Sequence, residues 1–346
     1  MRVLGGTAAA GVADAAFAMP AGMAMRYDRP ADTLADCITG YTVYHADSPD
    51  ALSDCFLPAP VMLCLFIEAG RVTAKIGNHL FDPLPKIAVI GPTTRALHVT
   101  THGGTMVGIG ISATGWARMT ETPAIRVHNR IVPADTVLNP AAVEALARQI
   151  AALPDDRGVK PLLDAQLPTL LRPMPNGAKG GHMPLIARLT ALATTDREID
   201  VAQIAREMAV PEAQLRRLSR SYFGMPPKLL LRRARFLRSF VRLFAGGDIA
   251  DSRRLDPSYF DMSHYLRDAN AFLGTTPRRF LANASPFLSA SIRARMAVLG
   301  APTQALHPPG GVRMEEAEDM VQPAGASSGE CPDGALDRIE TEEALG

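Results

Sequence analysis

From Met25 to about Val132 the apolar residues fall in short runs broken by glycine and proline. "VMLCLFI" (61–67) is a continuous apolar run of strand length. The turn "EAGR" follows it, then the alternating "VTAKIG" (72–77), and the pair predicts a β-hairpin. "KIAVIG" (86–91), "ALHVTT" (96–101) and "TMVGIGIS" (105–112) predict further strands. Short strands punctuated in this way suggest a sandwich or barrel. The period changes at "NPAAVEALARQIAAL" (139–153), a helix opening on an Asn cap with proline at its first position. "RPMPNGAKGGHMP" (172–184) is rich in proline and glycine and predicts a linker. From Leu185 to about Ala284 the pattern is helical throughout.

Within that block, Ile199, Ala202, Ile204, Ala205 and Met208 form one apolar face, with Asp200 placed to cap the helix. Val210-Pro211 marks a tight turn. The next helix buries Leu215 and Leu218 and exposes Gln214, Arg216, Arg217 and Arg220, which gives a helix-turn-helix with a basic outer side. Gly224 ends it, and "MPPK" starts a longer helix carrying Leu229, Leu230, Leu237 and Val241.

Charge sharpens the picture. The chain's net charge is only +1, but residues 194–282 hold 16 Lys/Arg against 10 Asp/Glu, a net of +6. Residues 300–346 hold 2 against 10, a net of −8. A basic block before an acidic tail points to a polyanion partner for the block alone. The 346 residues suit two domains. The four cysteines show no CxxC spacing, so neither a structural zinc site nor a disulfide framework is expected. No apolar run reaches transmembrane length, so no membrane partner is expected. The opening apolar stretch is broken by glycine and Asp14, which predicts a flexible extension over 1–24 rather than a signal peptide.

The order Ala205, "QLRR" (214–217), Phe223-Gly224 and Pro227-Lys228 resembles the DNA-binding domain of the AraC/XylS family of bacterial transcription regulators. "SYFDMSHYLRDANAFLGTTPRRF" (258–280) supplies the second half of that likeness through Tyr259, Asp261, Ser263, His264, Arg267-Asp268, Gly274, Thr276-Pro277 and Phe280. The resemblance covers roughly a hundred residues and implies an α+β chain. Its parts would be a β-rich, sandwich or barrel-like sensing or dimerisation domain (25–171), the linker, an all-α double helix-turn-helix domain (185–284) and an acidic disordered tail (300–346). It implies DNA contacts from Ala213, Gln214, Arg216, Arg217 and Arg220, and from Met262, Ser263, Leu266 and Arg267 on a second recognition helix. Arg278 and Arg279 would reach phosphates. Ala205, Leu215, Gly224, Asp261, His264, Gly274 and Pro277 would be scaffold. Asp261 would cap the second recognition helix, and His264 would face the helical core, so the Ser263-His264 pair would not be catalytic. The connecting helix, about 227–244, would hold both recognition helices on one face of the duplex.

Departures from the family's pattern set further expectations. Pro211 stands where a cap serine is usual, Ala209 where a turn glycine is common, and Ser258 where another turn glycine is usual. Arg253 and Arg254 occupy what should be the apolar face of the second unit's lead helix. The first unit is therefore expected to carry most base readout. The connecting-helix arginines, Arg232, Arg233, Arg235 and Arg238, are expected either exposed or on phosphates. The partner implied is promoter double-stranded DNA in the cytoplasm. RNA polymerase contact, a small-molecule effector and a homodimer remain open, as does activation against repression. No cofactor is implied. His98 and His102 lack a third metal ligand, and Trp116 is expected in a core or interface. The competing reading is a small-molecule-binding, cupin-like protein whose helical domain mediates protein interaction. A cupin-like enzyme would need a His/Glu cluster on its strands, which the sequence lacks.

Overall fold

The five strands placed from the sequence form, five further strands join them, and the two faces of the strands serve different purposes. A computed structural model describes residues 1–48, 50–173, 180–194, 200–247, 251–284 and 286–308. Ten strands, β1 (Met23–Asp28), β2 (Ile38–Ala46), β3 (Leu52–Phe56), β4 (Val61–Ile67), β5 (Val72–Ile76), β6 (His79–Phe81), β7 (Ile87–Ile90), β8 (Leu97–Thr101), β9 (Gly104–Ile111) and β10 (Ile131–Pro133), build two antiparallel sheets. The larger runs β1-β2-β9-β4-β7-β10 and the smaller β3-β8-β5-β6. One face of the larger sheet, through Val43, Leu63, Leu65, Val89, Val107 and Ile109, packs on three helices: α1 (Ala113–Met119), α2 (Pro140–Ala151) and α3 (Val159–Leu170). The opposite face, with Tyr44, Met62, Cys64 and Met106, looks across a cavity to Val72, Ala74, Leu97 and Val99 of the smaller sheet. That division follows from the period of two along a strand. Asn139 caps α2 as expected, accepting the Ala142 amide at 3.2 Å.

The expected hairpin at 61–77 does not form. β4 is buried along one face and half-buried at Met62 and Phe66 on the other, and it pairs with β9 and β7, so both its edges are filled, while β5 pairs with β8 and β6. The turn at Glu68–Arg71 instead carries the chain from one sheet to the other. Glu68 takes a positive φ of 48° there.

The helical half comprises α4 (Met183–Thr194), α5 (Val201–Glu207), α6 (Glu212–Phe223), α7 (Pro227–Ala245), α8 (Met262–Leu273), α9 (Pro277–Ala282) and α10 (Pro286–Leu299). Of the expected linker, 174–179 lie outside the described residues, and Met183 already opens α4. The two halves share a core in which Cys55, Leu57 and Ala96 meet Phe236, Phe240, Phe272 and Phe280.

Both chain-end expectations need correction. The N-terminal stretch is packed: Arg2 donates its amide to Pro154, Gly6 its amide to Met25, and Phe17 is buried against Met25 and Tyr27. The stretch expected to be structureless from Gly300 is packed as far as His307, with Gln304 donating to the Val61 carbonyl at 2.8 Å. Residues 309–346, the rest of that expectation, lie outside the described residues.

Candidate nucleic-acid interface

The first helix-turn-helix closes on a small core of Leu189, Leu192, Ile204, Ala205 and Leu215. Ala205 is 4% exposed where α5 meets α6, so a larger side chain there would push the helices apart. Asp200 sits at the start of α5 but makes no capping hydrogen bond with its side chain, contrary to expectation. Pro211, at the cap of α6, makes none either. Ala209 adopts φ +50°, the left-handed conformation that favours glycine, so this turn carries backbone strain. Leu215 and Leu218 point inward, which turns Ala213, Arg216, Arg217 and Arg220 outward; Gln214 is half-buried. Arg216 pairs with Glu212 at 2.6 Å one turn away, an exposed pair of small energetic weight. Arg217 and Arg220 make no ion pair among the described residues.

Gly224 ends α6 at φ +74°, as the sequence predicted, and has a second duty. A Cβ at this position would collide with the Pro92 ring and lie 3.1 Å from the Ala124 carbonyl. The glycine thus lets the C-terminal end of α6 seat against the β half. The C-terminal end of α8 docks there too, its Phe272 carbonyl accepting the Ala96 amide at 2.7 Å. Both α6 and α8 therefore meet the β half at their C-terminal ends.

The second unit departs further from a complete helix-turn-helix. Residues 248–250 lie outside the described residues, and the only lead element described is a single 3-10 turn at Ser252–Arg254. Arg253 and Arg254 both pair with Asp251. Asp256 organises the approach instead. It receives Arg238 at 2.9 Å and the Ser258 amide and hydroxyl at 3.1 and 2.6 Å. Burial alone would raise its carboxyl, but these donors together hold it below the usual carboxylate range. Asp261 caps α8, accepting the His264 amide at 2.6 Å. Gly274 closes the helix at φ +77°, and Pro277 opens α9 beneath its Thr276 cap.

His264 is half-buried and meets the Tyr259 ring edge-on at 5.0 Å, while Ser263 is exposed. The pair is scaffold and surface. Met262 and Leu266, expected in the groove, are half-buried and pack on the core shared with α7. Of the expected contacts, Ser263 and Arg267 remain exposed on the outer side of α8, beside Asn270, and Arg278 and Arg279 are exposed at the start of α9. Phe260, just before the α8 cap in the chain, is 95% exposed, a feature no sequence pattern singled out.

The connecting-helix arginines correct much of another expectation, because all four bond protein groups and only Arg232 keeps a largely open side chain, 41% exposed. Asp268, 1% exposed, accepts Arg232 at 2.6 Å, Arg235 at 3.1 Å and the Tyr259 hydroxyl at 2.7 Å. Arg238 ties Asp256 to the Ala193 carbonyl. Arg233 donates to the carbonyls of Ala59 and Thr93 in the β half, and burial pushes its guanidinium down to about 10. These partners lie 18 to 174 residues away along the chain, beyond any local pattern.

Trp116 is buried, its indole N–H donating to the Thr122 carbonyl at 2.8 Å. His102 bonds the Arg71 carbonyl, and His98 lies edge-on to Phe280. Among the described residues no three His, Cys, Asp or Glu side chains gather as metal ligands, and no helix is long and apolar enough to cross a membrane.

No protein-family model matches the chain, and no curated protein does. Among solved structures, ToxT from Vibrio cholerae aligns at a TM-score of 0.40 and 12% identity, over 71% of this chain and 98% of that one. ToxT bound to an unsaturated fatty acid aligns at 0.39 and 10%, over 70% and 94%. The AraC-like transcriptional activator CuxR aligns at 0.20 and 13%, over 64% and 88%. At TM-scores of this size the likeness fixes neither family nor ligand.

Proposed function

We propose that the chain is a sequence-specific, DNA-binding transcription regulator of the AraC type, controlled through its β-rich half. The observation that carries the reading is α6. It lies second in a helix-turn-helix with a small packed core, and its outward side offers Arg217 and Arg220 without an ion-pair partner among the described residues. Such a helix suits the major groove, where arginine reads guanine with two hydrogen bonds. With Met262 and Leu266 turned inward, α8 would contribute mainly through Ser263, Arg267, Arg278 and Arg279, gripping phosphates.

The test is selection of the full chain on a randomised duplex library, followed by titration of the selected duplex with wild type and Arg217→Ala. The expected outcome is one enriched motif and binding about tenfold or more weaker in the variant. Because Arg217 is exposed, the variant's unfolding midpoint should not move. Retention of all duplexes alike, vanishing as salt rises, would leave only nonspecific electrostatics and end the proposal.

A further inference from the structure

Among the described residues Phe260 is the most exposed large apolar side chain, at 95%, against 66% for Leu80 and 43% for Leu4. Exposure alone carries little, because scattered apolar residues are common on protein surfaces. Phe260 differs in how its backbone is held. On one side, Tyr259 is buried, donating its hydroxyl to Asp268 at 2.7 Å and its amide to the Asp256 carbonyl at 2.9 Å. On the other, Asp261 accepts the His264 amide at 2.6 Å and so fixes the first turn of α8. The phenyl ring thus projects into solvent from backbone that is tied down at both neighbours. Burying it against a partner would order little beyond the torsions of the ring itself.

The position says what the ring would meet. Phe260 directly precedes the cap of α8, and the N-terminal end of the second helix of a helix-turn-helix is the part that reaches base edges. Met262 and Leu266 turn into the core, so Ser263, Arg267 and Asn270 make up the exposed outer side of α8. Between residues 258 and 280 the exposed charges are Arg267, Arg278 and Arg279 against a single carboxylate, Asp261, which is engaged in the cap. An apolar ring among arginines fits a polyanion that also offers apolar groups. In the major groove of a duplex that group is the C5-methyl of thymine.

We infer that Phe260 is a specificity-determining residue of the second unit, its ring packing on thymine methyl groups at the N-terminal end of α8. The inference rests on the DNA-binding reading above and deepens it. The arginines grip phosphates, and Phe260 supplies the apolar base contact that Met262 and Leu266, turned inward, do not.

The test uses the full chain and the duplex selected on the randomised library. In a series of copies each thymine in turn is replaced by uracil, which differs only in lacking the methyl. Wild type should bind about fourfold more weakly when one or two particular thymines are replaced. Phe260→Ala should bind the unmodified duplex about tenfold more weakly and show no further loss at those thymines. Its losses at other positions should match wild type, so the coupling of ring to methyl is read as a double-mutant cycle. Phe260→Leu, still apolar, should keep the thymine sensitivity. Because Phe260 is exposed, neither variant should move the unfolding midpoint. Wild-type affinity in Phe260→Ala, or the same uracil scan in both proteins, would overturn the inference. Arg217→Ala would still be weakened in that case, and the regulator reading would stand. Failure to enrich any motif would end both.

Discussion

Asp268 shows how much one buried carboxylate organises. Two arginines of α7 and the Tyr259 hydroxyl converge on it, so α7, α8 and the residues before α8 meet at one side chain. Asp268→Ala would leave Arg235 half-buried with its principal anion removed. The expected cost is about 3 kcal/mol or more, read as a fall in the urea midpoint. A loss below about 1 kcal/mol would mean that the arginines find other partners. The sequence pointed to Asp268 only through its place in a motif, and the arginines that hold it looked like a solvated or phosphate-facing row. Asp261 was legible because its hydrogen bond spans three residues; Arg233 was not, because its acceptors lie in the other half.

Among the elements, strands and helices followed their periods closely, whereas pairing did not. The run at 61–67 is a strand as expected, but β4 lies between β9 and β7 and not beside its sequence neighbour β5. An apolar run of strand length marked a strand, but could not name its neighbours. The α5–α6 turn is a different case, because its weakness was visible in the residues. Ala209 at φ +50° places a Cβ in a conformation that disfavours it. Ala209→Gly should therefore stabilise the chain by about 1 kcal/mol, less whatever glycine's added freedom returns to the unfolded state. Thermal and urea unfolding of the two proteins measure it. A lower midpoint in the variant would show that the turn is not strained.

For the whole molecule, the last described segment completes the packing. His307 is 8% exposed, and burial, with Arg295 and Arg29 nearby, pushes its imidazole down to about 3. In the unfolded chain the same group titrates near about 6.5, so the unfolded state takes up the proton first as pH falls. Its contribution to stability is fully present above about pH 6.5 and is lost toward pH 3, at up to about 1.4 kcal/mol per pH unit. Urea midpoints at pH 7.5 and 5.5 should therefore fall more in wild type than in His307→Gln, and an equal fall in both would refute the assignment. The sequence by itself determined β4, β5, β7, β8 and β9, the helix α2, the helices from α4 to α9, the caps at Asn139 and Asp261 and the stops at Gly224 and Gly274. Each depends on residues within a few positions of one another, where period and φ preference act directly. Tertiary structure alone decided the strand order, the partners of the α7 arginines, the burial of residues 301–307 and the cavity between the sheets. Those depend on contacts between residues far apart in the chain, and a side chain's charge or apolarity does not say which distant surface it will meet.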